Sequence, residues 1–396
     1  MSSSSCHICG ASALDPATRS MSYIRVTSDC KPWHGGGELA TCQTCRTVQT
    51  LITPEWRREV AQIYKNYQVY HQGGGSEQAV FSPAGTGDTR SNLLVARLAE
   101  NIDLSSPGHL LDIGCGNGNF LKTFGAAFPS WKLSGAEFDA KHLADLAAIP
   151  NFQKLHTGSL ERIEGGFSLV SLVHTLEHIE GPLDFLNSIR RLLLPGGAIF
   201  IQVPHYPENP FELMTADHAT HFEVFTLQNL LSRSGFSPLF MSTDWVGKEL
   251  SVVAAQGDGN EGDFRPPTSD LRLPHCLDWL DALLKRAERV QSVSSCFGLF
   301  GSSIAATWTA ANLPRLPDFF VDEDPARVGR PHMERPILHP SQVAVDSDVF
   351  IALPEASSEY VRSRHIGKNS GRWHALAWRE DPGCRRLLFH INTNSS

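Results

Sequence analysis

"LLDIGCGNGNF", residues 110–120, decides how the middle of this chain is read. An apolar run, "HLLDI" (109–113), ends in a glycine-rich turn, and "NFLKTFGAAF" (119–128) then takes up helical spacing. A continuous apolar run bounded by glycine is the pattern of a strand buried on both faces of a parallel sheet. Gly114, Gly116 and Gly118 fall in the turn. Glycine there lets the backbone bend tightly and approach a ligand with no Cβ in the way.

Working outward, strand and helix patterns alternate. "KLSGAEF" (132–138), "FQKLH" (152–156), "FSLVSLV" (167–173) and "AIFIQV" (198–203) read as strands. "AKHLADLAA" (140–148) and "GPLDFLNSIRRLL" (181–193) read as helices, the second with Pro182 near its first position, where a missing N–H costs little. Thr226 is the expected N-cap of "LQNLLSRS", which Gly235 closes. "PLFMST" and "ELSVVAA" form a last hairpin. The fold class expected is α/β, a Rossmann-like parallel sheet with an antiparallel final strand. Its ligand belongs at the carboxyl ends of the strands.

Two cofactors compete for the glycine turn. A dinucleotide fingerprint requires G-x-G-x-x-G, but the spacing here is G-x-G-x-G, with Asn119 where a third glycine would stand. Asp112 precedes the turn, and a carboxylate there repels a pyrophosphate but suits a cationic ligand with an amino group. Glu137 ends the second strand and can accept from both hydroxyls of a ribose. With the "LLPGG" turn, this combination favours S-adenosylmethionine; a ligand-free tight turn and a solvated strand end are the plainer alternatives.

The chain has 396 residues, 41% of them hydrophobic, enough for two or three cores. A net charge of −8 gives no footprint for nucleic acid or an anionic membrane, and a small-molecule substrate, even a negatively charged one, could still find a local basic pocket. No apolar run reaches the length of a membrane span, and "MSSSSCHICG" lacks the regions of a signal peptide, so a cytoplasmic location is expected. Nine cysteines do not suggest a disulfide framework.

Four of the cysteines form two close pairs, "CHIC" (6–9) and "CQTC" (42–45). Thiolates two residues apart chelate one tetrahedral metal, and two such turns complete a four-sulfur shell. Cys6, Cys9, Cys42 and Cys45 are therefore expected to hold a structural zinc ion, with His7, Cys30 and His34 as possible substitutes. A closed shell leaves no open position for catalysis. The expected division is a zinc-binding domain at 1–60, a core at 61–256 with a tyrosine-rich helical lead-in, and a C-terminal Rossmann-like domain at 257–396. "QGDGNEGDFRPPTSD" (256–270) reads as the linker, and "CFGLFGSSIAATWTAANL" (296–313) with "FFVDEDP" (319–325) as strand, turn, helix and strand.

Residues 109–255 resemble a class I S-adenosylmethionine-dependent methyltransferase, on "LLDIGCGNGNF", "GAEFD", "TGSLERI", "HTLEHIEGPLDFLNSIRRLLLPGG" and "DHATHFEVFTLQNLLSRSGF". The resemblance implies cofactor contacts from Asp112, Gly114, Gly116, Gly118, Glu137 and Phe138, with Ser159 and Leu160 flanking the adenine and His174 near the methionine moiety. The order of parts, a four-cysteine segment, this core and a C-terminal Rossmann-like unit, resembles the nucleotide-sugar C-methyltransferases. In that family a nucleotide sugar lies between the core and the flanking domains. A histidine removes the proton beside a keto group, and the enolate takes the methyl.

Histidine suits proton removal near neutral pH. His178 follows the fourth strand and His218 the fifth, so both are expected to face the ligand crevice. The resemblance implies a histidine at His178 and a Tyr-x-Glu-His group at 215–218, where this chain has Thr215, Ala216, Asp217 and His218. His218 is the expected base, oriented by Asp217 and assisted by His178, with His221 holding the loop. The family also places a tyrosine in the site; Tyr70 is the nearest match, with Tyr64 and Tyr67 close in sequence. Two rivals remain: an O-methyltransferase of the same build, and a cofactor-binding scaffold without turnover.

Overall fold

The computed structural model describes residues 5–68, 71–77, 79–81, 87–257, 272–366 and 371–376. The expected linker at 256–270 and Tyr70 lie wholly or mostly outside them.

The core is a seven-stranded sheet. Its order is Phe152–Thr157, Lys132–Glu137, His109–Ile113, Phe167–Val173, Leu193–Pro204, Glu249–Gln256, Phe236–Ser242. The first five strands are parallel neighbours. The last strand of the core in sequence, Glu249–Gln256, is antiparallel to both its neighbours and sits inside the sheet rather than at its edge. The order reverses around His109–Ile113 and Phe167–Val173, which opens a crevice at their carboxyl ends. Apolar clusters cover both faces, one containing Leu111, Val170 and Ile201, the other Leu110, Leu169 and Phe200.

Several expected boundaries shift. The helix after the fourth strand runs Pro182–Arg190, and the fifth strand starts early, at Leu193, because Leu193 already pairs with Phe167 before the register shifts across the "LLPGG" turn. Thr226 is not an N-cap. Glu223 takes that position, its N–H donating to Thr226 Oγ1 at 3.1 Å, in a helix that runs Val224–Arg233. A helix at Pro54–Lys65 starts inside the segment assigned to the cysteine domain. Thr53 caps it, Oγ1 accepting from Trp56 N at 3.1 Å, with proline at the first turn.

The N-terminal segment shares a sheet with the core. Its antiparallel strands Leu14–Ala17, Leu39–Cys42 and Val48–Thr50 take a fourth strand, Thr220–His221, from the core. A two-residue strand cannot hold itself by local propensity, so the pairing fixes the loop and the segment together. One apolar cluster runs through all three parts of the chain: Val26, Leu39 and Val48, then Tyr206, Phe211 and Met214, then Trp279, Leu283 and Trp308.

The C-terminal unit has parallel strands Phe297–Phe300, Phe319–Val321 and Asp348–Ile351, with helix Ile304–Asn312 between the first two. Among the described residues no helix is long and apolar enough to cross a membrane.

Candidate active site

The turn after His109–Ile113 forms the floor of a cleft of about 2130 Å³. Gly114 has φ of 74°, and a Cβ there would lie 2.3 Å from Thr175 Oγ1. Gly118 has φ of 82°, and its Cβ would lie 2.6 Å from Leu146 Cδ2. Both positions favour glycine for their left-handed φ, and at Gly114 the short Thr175 side chain leaves little room for a Cβ as well.

Asp112 is buried behind the turn and accepts from Ser171 Oγ at 2.6 Å. Burial raises its pKa to about 7. A cation seated against it would restore the charged form. Glu137 accepts from Gly116 N at 2.9 Å and from Phe138 N at 2.8 Å, which fixes its carboxylate at the strand end with lone pairs to spare. Phe138 stands almost fully exposed at the mouth, 91%. Asn119 Nδ2 is buried without a hydrogen-bond partner beside this floor.

His174 also lines the cleft, with φ of 51°, unusual for a side chain with a Cβ. Its Nδ1 lies 3.2 Å from Glu177 and its Nε2 3.1 Å from Glu249, which Arg90 also grips at 2.8 Å. Burial opposes charge on His174, but Glu249 outweighs it and lifts the pKa to about 9.

The second half of the site is a buried histidine cluster on the same cleft. Glu212 is its hub, with Oε2 at 2.6 Å from His218 Nδ1 and Oε1 at 2.8 Å from His221 Nδ1. A carboxylate only accepts, so both Nδ1 atoms carry protons. Burial works against a charged His218, but Glu212 prevails and raises its pKa to about 9. Burial, then the repulsion of His218, push His178 below the ordinary histidine value. The two rings meet edge to face at 4.6 Å. His178 Nδ1 lies 3.1 Å from the Asp217 backbone carbonyl and 3.0 Å from Tyr64 OH. The carbonyl demands a proton on Nδ1, which leaves the Nε2 lone pair of His178 free.

The expected pairing of Asp217 with His218 is not what forms. The Asp217 carboxylate turns away to accept from Ser28 N at 2.8 Å and Ser28 Oγ at 2.5 Å, and its Oδ2 comes within 3.6 Å of His178 Nδ1. Asp217 sits in the turn that follows Thr215, and Ser28 supplies the two donors that its carboxylate needs. Glu212, in the turn Pro210–Met214, does the orienting instead. Tyr64, at the end of its helix, is the described tyrosine that reaches His178.

Residues 89–239 match a family described as a methyltransferase domain.

The chain carries an S-adenosylmethionine-dependent methyltransferase domain.

Among curated relatives of this methyltransferase, trans-aconitate 2-methyltransferase of Pseudomonas paraeruginosa is 27% identical over 190 residues, 43% of this chain and 68% of that one. C-methyltransferase NovU of Streptomyces niveus is 26% identical over 208 residues, 50% of this chain and 49% of that one. The chain thus spans about half the length of NovU. A solved S-adenosylmethionine-dependent methyltransferase from Clostridium acetobutylicum is 9% identical, with a TM-score of 0.36, over 51% of this chain and 98% of that one.

The methyltransferase's own residues fit the cofactor: a floor without Cβ atoms, a buried carboxylate at Asp112 for an ammonium group, and Glu137 for a diol. Three expected contacts do not line the cleft: Gly118, which shapes the turn, and Ser159 and Leu160. The latter two begin a short turn after Phe152–Thr157, where Ser159 Oγ accepts from Glu161 N at 3.3 Å.

Cys6, Cys9, Cys42 and Cys45 point their sulfurs at one another, all within 4.8 Å, and none lines the cleft. Cys6 Sγ lies 3.4 Å from Cys45 Sγ, and Cys9 Sγ 3.6 Å from Cys42 Sγ. Zinc–sulfur bonds of about 2.3 Å in a tetrahedron set sulfurs about 3.8 Å apart, so the donor set fits such an ion. The possible substitutes are elsewhere: His7 contacts Thr220 Oγ1 at 2.9 Å, Cys30 lines the cleft, and His34 is exposed.

Of the acids that end the second C-terminal strand, Asp322 and Glu323 find partners within that unit, while Asp324 also accepts from Ala79 N at 3.2 Å. Asp322 accepts from Ser302 Oγ at 2.6 Å, and Glu323 pairs with Arg364 at 2.6 Å.

Proposed function

We propose that this chain methylates a carbon next to the ketone of a nucleotide-linked sugar, after a proton is removed in the histidine cluster. The observation that carries this reading is that His178 and His218 line the same cleft as the glycine turn and Glu137. S-adenosylmethionine supplies an electrophilic methyl group, whose bond to sulfur breaks as its bond to the substrate carbon forms. His178, neutral with a free Nε2, takes the proton from carbon. His218, held as an imidazolium by Glu212, faces the oxygen on which negative charge gathers, so His178 rather than His218 serves as the base. Tyr64 and the Asp217 carbonyl fix the ring of His178.

Three further points support the substrate class. The cleft, at about 2130 Å³, exceeds the roughly 300–1,000 Å³ usual for one small ligand, which leaves room beside a cofactor. It extends to Gly301, Ser303 and Arg327 of the C-terminal unit. One relative is named a C-methyltransferase. We also propose that the four thiolates hold a structural zinc ion, and that the C-terminal unit completes the substrate cleft.

Proton removal can be tested apart from methyl transfer. In deuterium oxide, with S-adenosylhomocysteine in place of the donor, the chain should exchange the proton beside the ketone of its nucleotide sugar. His178→Ala should abolish that exchange. Undiminished exchange by His178→Ala would remove the base assignment.

A further inference from the structure

The stretch that presents His218 belongs to the core in sequence, yet its backbone is moulded largely by the N-terminal segment. Ala216 N donates to Val26 O at 2.7 Å, and Ala216 O accepts from the Trp56 indole N–H at 2.9 Å. Asp217 is held through its carboxylate by Ser28. The His218 carbonyl accepts from Thr50 Oγ1 at 2.9 Å, and the Ala219 carbonyl from Thr50 N at 2.9 Å. Thr220 pairs with Gln49 in the shared sheet. The core contributes Glu177 O, which accepts from Ala219 N at 2.7 Å.

These contacts are buried and directional. Thr50, Trp56, Ala216, Asp217, His218 and Ala219 are all nearly or fully buried. A carbonyl that loses its donor in such a place gains no water in exchange, so the backbone must move to find a partner. His218 has little freedom to compensate, because Glu212 fixes its Nδ1 from the other side.

We infer that Thr50 and Trp56 are positioning residues for the reaction, and that the N-terminal segment acts on the cleft by setting the backbone from which His218 reaches it. The inference rests on the proposed role of His218. Neither residue lines the cleft, so their effect is exerted through the 216–219 backbone. A displacement of about 1 Å at a reacting group is enough to lose about a hundredfold in rate.

The test uses the full chain and needs no substrate. The His218 Nδ1 proton shared with Glu212 should give a far-downfield proton resonance, assigned by its loss in His218→Gln. In Thr50→Val its exchange with water should quicken by about tenfold, the effect of losing roughly one buried hydrogen bond from the closed state. Trp56→Phe, which keeps an aromatic ring but lacks the indole N–H, should act in the same direction, and Thr50→Ser should restore the slow exchange. Affinity for S-adenosylhomocysteine should stay unchanged in all three. If Thr50→Val fails to fold, Trp56→Phe decides. Parental exchange in the folded variants would overturn the inference, as would Thr50→Ser exchanging as fast as Thr50→Val. Turnover of His218→Gln judges the methyl-transfer reading separately, because the exchange rate does not depend on it.

Discussion

Glu212 Oε2 lies 2.6 Å from His218 Nδ1, both side chains almost fully buried, and the same carboxylate reaches His221 with its other oxygen at 2.8 Å. One acid thus sets the tautomer of two histidines and the charge of one. It also explains why two neighbouring imidazoles on one cleft differ: His218 is driven towards its charged form and His178 towards its neutral one.

Glu212→Gln should remove the charge and keep the shape. The pKa of His218 should fall from about 9 towards or below the ordinary value, because the burial that opposes its charge remains. The alkaline limb of the kcat profile should move down with it. The rate at neutral pH should drop by about 10²- to 10⁴-fold, the usual worth of a positioned proton-handling group. An unmoved alkaline limb would mean that another group titrates there.

Gly114→Ala should weaken cofactor binding. The left-handed φ of 74° costs a Cβ-bearing residue about 1–2 kcal/mol, and the added methyl must displace Thr175, whose Oγ1 would be 2.3 Å away. Calorimetry with S-adenosylhomocysteine should show affinity down by tenfold or more, about 1.4 kcal/mol. Parental affinity would place the cofactor away from this turn.

Stability should depend on pH from both partners of the buried pairs. His218 and His174 have folded pKa values near 9, above the ordinary 6.5. Their contribution is full below 6.5 and is lost as pH rises through about 9. Glu212 and Glu249 are lowered from 4.5 to about 2, so their contribution is present above 4.5 and is lost as pH falls through about 2. Calorimetric Tm should therefore decline between neutral pH and pH 9, and His218→Gln should flatten part of that decline. A Tm indifferent to pH over that interval would contradict the ion pairs.

The core was legible because its signals are local. Apolar runs, Gly114, Gly116 and Gly118, and the acid at Glu137 each lie within a few residues of the structure they specify. The orienting acid was not legible. Glu212 sits in "NPFELM" (209–214), among Pro210, Phe211, Leu213 and Met214, all buried, so its neighbours read as plain core. Asp217 was the natural choice beside His218, but Ser28, distant in sequence, supplies the donors that take its carboxylate. The strand Thr220–His221 exists only because Val48 and Gln49 arrive to pair with it, a contact across most of two segments that no local pattern encodes. The tyrosine was ambiguous between Tyr64, Tyr67 and Tyr70, because only the end of the helix at Lys65 determines which ring turns to His178.

Metal analysis should find stoichiometric zinc in the purified chain. Cys42→Ser should lose it and lower Tm, since the segment has few apolar residues of its own and the metal supplies folding energy. The loss should reach the cleft as well, through Val48–Thr50 and the paired Thr220–His221. A metal-free chain of parental stability would contradict the four-thiolate site.

The most direct measurement is mass spectrometry and NMR of the small-molecule product after incubation with trideuteriomethyl S-adenosylmethionine and a panel of nucleotide-linked keto sugars. The predicted result is a trideuteriomethyl group on the carbon beside the ketone, formed by the parental chain and lost in His178→Ala, which should still bind S-adenosylhomocysteine. Label on oxygen, no label from any member of the panel, or equal label from His178→Ala would contradict it.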